Sequence, residues 1–510
     1  MLTTNELLRR EWTGFRRPGR LIAMGAAALV VVAFGLLYAL GSHPSCDDPC
    51  RAEPTGPNGS LVNDQFYFLH RDLGAEGSIT VRMTSMTGTI TYPPPDHDRI
   101  VAGLVPWAKA GIIIKDGVRQ GSPYAALMLT GHHGVRMQHD YRHDIAGSDS
   151  RVSAESPRWL RLTRSGDTIT GYESADGKRW AKVGAARLSG LPETVQVGLF
   201  ATSPGDLTLR PVGLGGATQE VRFTQAAGVF DHVDVTGADD AGGWRKNAVG
   251  EMNHTDWEKY HKASTAVQKN GTITVTGTGD IGPKVTEGGG RPVERTLGGL
   301  TLAVLIVLVV AVRFATDERR REPARAAPVT RRMLTARAAV LGAVTFATGL
   351  LAVGVTLPLG VAILNGNGVP VIEVPALTAV RVVVATAALL ALAAVLALAL
   401  ASLLRRAWLA ITLAVLTIVL PYVVTSFPLL ADGLSQWLLR VTPAAGFTAL
   451  QTLVEYPQTV AHYAPSTGYF PLPWWAGIAV PAAYAVLLSG LALHRLPHGD
   501  QRAGRPVEWR

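Results

Sequence analysis

The sequence predicts a multi-domain membrane protein in which a six-helix α-helical transmembrane domain carries an all-β sandwich between its first and second transmembrane helices. Three observations carry that expectation. Six apolar stretches exclude charge almost completely, as a hydrocarbon layer ~30 Å thick requires of the roughly 20 residues that cross it. Arginine gathers on alternate sides of those stretches. Between the first two, residues 62–237 alternate apolar and polar side chains with the period of strands rather than helices.

A chain of 510 residues exceeds the ~250–300 at which one hydrophobic core stops growing, so two or more units are expected. Lys and Arg number 48 against 39 Asp and Glu, a net charge of +9, yet the excess flanks the apolar stretches and no basic stripe interleaves with aromatics. That distribution excludes nucleic acid as a partner and indicates membrane lipid.

Residues 1–20 include LLRREWTGFRRPGR, with Leu, Trp and Phe among arginines. The composition suits an amphipathic helix at the inner interface, or a plain basic flank. Residues 21–41 form the first span. Their run LIAMGAAALVVVAFGLLYAL is longer than the ~7–15-residue apolar core of a signal peptide and leads into GSHPSC, so it is read as uncleaved. Residues 42–61 form a linker holding the chain's two cysteines, Cys46 and Cys50. On an oxidising outer side a disulfide between them is the expected state. Two free thiols, or a metal site drawing on His43, Asp47 and Asp48, are the alternatives.

Strands are expected at 77–86, 109–117, 124–131, 159–184 and 195–203. Within 159–184, Ser165-Gly166-Asp167 and Asp176-Gly177-Lys178 are turn signals that divide three strands of an antiparallel meander. Residues 238–296 read as a less regular tail with a short strand pair near 273–277, and with Trp244 and Trp257 able to pack on the sandwich or stack on a sugar. Asn58, Asn253 and Asn270 begin glycosylation-type triplets, a frequent chance pattern.

The series FYFLHRDLGAEGSITVRM, WAKAGIIIKDG, RWLRLTRSGDTITGYESADGKRW, VQVGLFATS and VFDHVDVTG resembles a concanavalin-A-like, laminin-G-like jelly-roll sandwich. That resemblance implies a jelly-roll-like fold that hosts lectins, glycosidases and inert spacers alike. Asp64, Glu76, Asp116, Asp140, Asp144, Glu155 and Glu173 are scattered, without the facing carboxylate pair of a glycosidase. His132, His133, His139 and His143 with Asp140 and Asp144 could supply metal ligands, and Asp96 with Asp98 could hold calcium, but neither group has a spacing that marks a site. No catalytic residue, metal set or cofactor is therefore assigned.

Residues 297–496 hold spans two to six, at about 297–314, 338–364, 377–404, 407–430 and 474–494, before a tail at 497–510. The segment before the first span carries Arg9, Arg10, Arg16, Arg17 and Arg20; that between the second and third carries Arg313, Arg319, Arg320, Arg321, Arg325, Arg331, Arg332 and Arg337. Arg405 and Arg406 follow the fourth span, and Arg495, Arg502, Arg505 and Arg510 the sixth, whereas 365–376 has no Lys or Arg and 431–473 only Arg440. Both termini are thereby expected in the cytoplasm, 42–296 outside, and the protein in the cell membrane. Arg381, near the outer end of the fourth span, either snorkels to water or lines a pathway.

The leading amphipathic segment, the basic FATDERRREPARAAPVTRR connection, and the VTPAAGF and YFPLPWWAG pieces before the sixth span resemble permease subunits of type 2 ABC transporters, the bacterial exporter class. The resemblance covers 1–41 and 297–495; the sandwich and prolines 323 and 328 in the connection depart from it. It implies a separate cytoplasmic ABC ATPase, a second permease copy or homologous half, and an ATPase-coupling surface at Asp317, Glu318, Arg319, Arg320 and Arg321. These arginines also serve as topogenic charge. The chain has no phosphate-cradling loop of its own: in GTGDIGPK (277–284) proline occupies the lysine position. Two functions follow, an export permease whose sandwich contacts substrate or cell-wall glycan, or a membrane-anchored glycan-binding protein without transport.

Overall fold

The structure is a computed structural model that describes residues 3–44, 53–93, 96, 98–238, 243–250, 264–285, 291–321, 330–404 and 406–496, with the side chains of 318–321 outside the described set. Among the described residues six helices are long and apolar enough to cross a membrane. They include α2 (Pro18–Gly41), α3 (Leu300–Arg321), α4 (Arg331–Gly366) and α5 (Ala376–Leu404). The fifth and sixth are α6 (Ala407–Thr425) and α8 (Trp474–His494). Ahead of them, α1 (Thr4–Phe15) starts with a capping box in which Thr3 and Glu6 satisfy each other's backbone N–H groups. Pro18 cannot extend α1, and it opens α2 at a position where no N–H is needed. The α6 helix passes through a π-turn at Val415–Val419 just before Pro421, whose missing N–H interrupts the regular ladder. A short helix, α7 (Asp432–Val441), precedes a 3-10 stretch at Pro443–Leu450 whose residues are all buried.

The helices share one core. It joins Phe15, Val31, Leu300, Val304, Leu308, Leu341, Val353, Leu390, Leu396 and Phe447. The α2 helix approaches α4 so closely at Gly35 that a Cβ there would stand 2.3 Å from both the Thr296 carbonyl oxygen and a Thr356 methyl, which leaves space for glycine alone.

In chain order the strands lie between α2 and α3. One sheet has seven strands: β15 (Arg245–Val249), β2 (Phe66–Leu73), β12 (Val195–Thr202), β5 (Lys109–Lys115), β6 (Tyr124–Thr130), β7 (Val135–His139) and β8 (His143–Ala146), in that spatial order. The second sheet has nine. Its main path runs β11 (Ala181–Arg187), β10 (Thr168–Ser174), β9 (Arg158–Ser165), β3 (Glu76–Thr91), β14 (Ala217–Thr236), β17 (Thr272–Gly277) and β16 (Thr265–Lys269), with β4 (Ile100–Ala102) on β3 and β13 (Asp206–Pro211) on β14. The 159–184 meander forms as expected, with Gly166 and Gly177 at positive φ in its turns. Ile79, Val81, Leu160 and Phe230 of one sheet meet Leu69, Ile112, Leu127 and Leu199 of the other, which makes the region a sandwich.

The central strands β5 and β6 are buried along their whole length because the seven-stranded sheet is covered on both faces. Its far face carries a second core of Phe66, Phe68, Ile113, Tyr124, Met128, Tyr141 and Phe200. Over it lies a two-stranded ribbon of β1 (Val62–Asp64) and β18 (Ile281–Pro283), the strands that lead in from α2 and out toward α3. The sandwich also touches loops at one end of the bundle. Arg291 pairs with Val371, Gly215 bridges Leu430, and Gln458 donates to the Arg142 carbonyl at 2.9 Å. A side chain at Gly216 would collide with the Pro428 and Leu429 backbone.

Candidate functional site

Charged side chains of the bundle concentrate where α1 to α4 meet. On α1, Glu11 and Phe15 turn inward and are buried. Glu11 accepts from Arg337 of α4 at 2.9 Å, with both side chains only 4% exposed. Phe15 meets Phe314 of α3 edge to face at 5.3 Å, and the guanidinium groups of Arg20 and Arg337 lie over the Phe314 ring at 4.8 and 5.8 Å. Arg20 donates to the Gly14 carbonyl at 2.7 Å and to Asp317 at 2.5 Å. Four helix ends are thus tied through Phe314 and two ion pairs.

Of the proposed coupling residues, Asp317 points at α2, where Arg20 holds it and Arg17 stands 3.9 Å away. Glu318, Arg319, Arg320 and Arg321 occupy the last turn of α3, and their side chains lie outside the described residues. The proline-containing segment after them, the Cys46 and Cys50 pair, Asn253, Trp257 and the 497–510 tail lie outside the described residues as well. Sequence reasoning missed the Glu11–Arg337 bond. Its one signal was an acid, Glu11, set directly beside Arg10 on the apolar side of 1–20.

At the opposite end of the bundle, Arg381 bonds the Gln451 carbonyl and lies over Trp474 at 5.9 Å. The nearby Glu294 accepts from Thr452 through one carboxylate oxygen; the other is buried, and has no hydrogen-bond partner among the described residues.

Two lysines of the sandwich are fully buried. Lys115 donates to Asp64 at 2.7 Å, to the Ser122 carbonyl at 3.0 Å and to the Tyr141 hydroxyl at 2.9 Å, and Tyr141 in turn donates to Asp64 at 2.7 Å. Burial pushes the Lys115 ammonium below the usual lysine range and, with Asp64 alongside, pushes the Tyr141 phenol up. Lys109 reaches Asp280 and the Ile281 carbonyl, each at 2.6 Å. Both lysines therefore fasten the covering ribbon to β5. Asp280, which falls in the sequence's nearest approach to a phosphate loop, belongs to this fastening.

The histidines do not converge. His133 stacks on Trp107 at 4.1 Å and His139 on His143 at 4.4 Å, while Asp144 is engaged by Arg136 and Gln138. Burial holds the His133 and His143 imidazoles below their usual range. Among the described residues no group of three or more His, Cys, Asp and Glu could hold a metal ion.

No family model matches the chain, and no curated protein does. Solved structures resemble it only loosely. Scytalido-glutamic peptidase with a transition state analog inhibitor is 9% identical, covering 42% of this chain and 98% of its own at a TM-score of 0.27. The GH43 BlXynB protein from Bacillus licheniformis is 17% identical over 32% of this chain and 28% of its own, with a TM-score of 0.20. A functionally unknown protein from Saccharomyces cerevisiae is 15% identical over 39% of this chain and 92% of its own, again at 0.20. At these scores the likenesses carry no argument about fold or activity.

Proposed function

We propose that this chain is the membrane-spanning permease subunit of an ATP-driven export system of the type 2 ABC class, energised by a separate cytoplasmic ATPase and paired with a second permease copy or homologous half. In this reading both termini face the cytoplasm, and the sandwich stands outside the cell membrane, where it contacts substrate or cell-wall glycan. The observation that carries the proposal is the buried Glu11–Arg337 bond, which ties the amphipathic helix ahead of the first span to the start of α4. Separating two buried charges is costly, so a push delivered at α1 reaches the spans. A protein that merely tethers the sandwich needs one span, whereas this one has six candidate helices.

The test is purification of the full chain in mild detergent from its native host, with mass spectrometry and an ATPase assay on the eluate. A co-purifying nucleotide-binding subunit with ATP hydrolysis is the expected result. Retention on peptidoglycan or polysaccharide, with no such subunit and no hydrolysis, would replace the permease by the membrane-anchored glycan-binding protein.

A further inference from the structure

A cleft of about 580 Å³ opens between α2 and α3 at the end that meets α1. Its size falls within the roughly 300–1,000 Å³ of ligand pockets. Its lining changes character along the helix axis. The mouth carries Arg17, Arg20, Arg313 and Asp317, and the slot behind is walled by Leu305, Ile306, Val309 and Val310, with Gly19 and Ala23 leaving room on the α2 side. From Leu305 to Asp317 the helical rise gives about 18 Å, close to the depth of one leaflet of a ~30 Å hydrocarbon layer.

The charges at the mouth do not cancel. Asp317 is committed to Arg20, whose side chain is only 12% exposed. Arg17 is 46% exposed and stands 3.9 Å from the same carboxylate. Arg313 is exposed on the neighbouring turn of α3 and makes no ion pair within 4.0 Å among the described residues. Among the described side chains, three cations against one anion at the mouth of an apolar slot match a negatively charged headgroup with an acyl chain beyond it. We propose that this cleft binds an anionic phospholipid of the cytoplasmic leaflet, its phosphate on Arg17 and Arg313 and one acyl chain between α2 and α3. The inference rests on α2 and α3 crossing a bilayer with Arg17 and Arg313 at its inner face, and not on transport, so a failed ATPase search leaves it standing.

The probe is phosphatidylglycerol with a photoactivatable group in one acyl chain, added to the full-length protein in mild detergent and mapped by peptide mass spectrometry. Adducts are expected on peptides covering 17–23 and 305–313, displaced by unlabelled phosphatidylglycerol but not by phosphatidylcholine of the same chains. Arg17→Gln and Arg313→Gln should each weaken labelling about fivefold, and together about thirty-fold. Ala23→Trp, which fills the slot and leaves every arginine in place, should abolish it. Should the variants fail to fold, the wild-type map and the headgroup competition decide alone. Equal displacement by phosphatidylcholine, displacement by inorganic phosphate, adducts elsewhere, or a cross-link between two copies across α2 and α3 in place of lipid adducts would each overturn the proposal.

Discussion

The sandwich and the helical bundle bury charge in different places. In the sandwich, Lys109 and Lys115 sit fully buried in a central strand, each closed onto an aspartate of the covering ribbon. In the described spans, charge is confined to the ends, where Glu11 meets Arg337 and where Arg381 finds a backbone carbonyl. A domain surrounded by water can hold an ion pair at its centre when backbone and side-chain partners replace the lost hydration. A span surrounded by lipid tolerates ionisable groups chiefly where a neighbouring helix end or the interface receives them. The same chemistry therefore fastens a ribbon in one region and ties helix ends in the other.

That contrast can be broken most forcefully in the sandwich. Asp64→Ala strands the Lys115 ammonium and should destabilise the domain by about 3–5 kcal/mol in chemical denaturation of the full chain, read from tryptophan fluorescence. The double variant Asp64→Leu with Lys115→Met should regain most of the loss; an equally unstable double variant would show that shape, not charge pairing, fixes the ribbon. In the bundle, Glu11→Ala should cost about 3 kcal/mol in detergent, less if water reaches Arg337 once the pair is broken.

Acid gives a smaller effect. Because the folded sandwich holds His133 and His143 below their usual range, the unfolded chain binds protons that the folded one refuses. Stability from these residues is complete above the unfolded pKa of about 6.5 and is lost as pH falls from there through the folded values. The denaturation midpoint should accordingly be lower at about pH 5 than at about pH 7.5. His133→Phe, which keeps the stack on Trp107, should flatten that slope. The smallest change belongs to the surface, where Arg179→Ala removes a pair whose arginine is 94% exposed and should shift stability by less than about 0.5 kcal/mol.

The parts that were legible in the sequence obey local rules. Lipid excludes charge residue by residue, so the spans announced themselves; Ser165-Gly166-Asp167 and Asp176-Gly177-Lys178 mark turns because their glycines supply positive φ. What escaped depends on distant partners. Lys109 and Lys115 bound an expected strand with nothing local to mark them as buried, since their partners Asp280 and Asp64 lie 171 and 51 residues away. Arg337 read as topogenic charge and Glu11 carried no assignment, because the two lie 326 positions apart in the chain. The β14 strand was seen only at its end; its first half pairs with β13 across a turn at Gly213–Gly216, and with the extended part of β3.

The account rests on which way the arginine-rich ends face. Single cysteines at Ser148 and near Arg320, in a chain with Cys46 and Cys50 replaced by serine, can be challenged in intact cells with a membrane-impermeant thiol reagent. The cysteine at position 148 should react from outside and the one near Arg320 only after the membrane is opened. The reverse pattern would contradict the topology, and with it the proposals of a cytoplasmic ATPase partner and an inner-leaflet lipid.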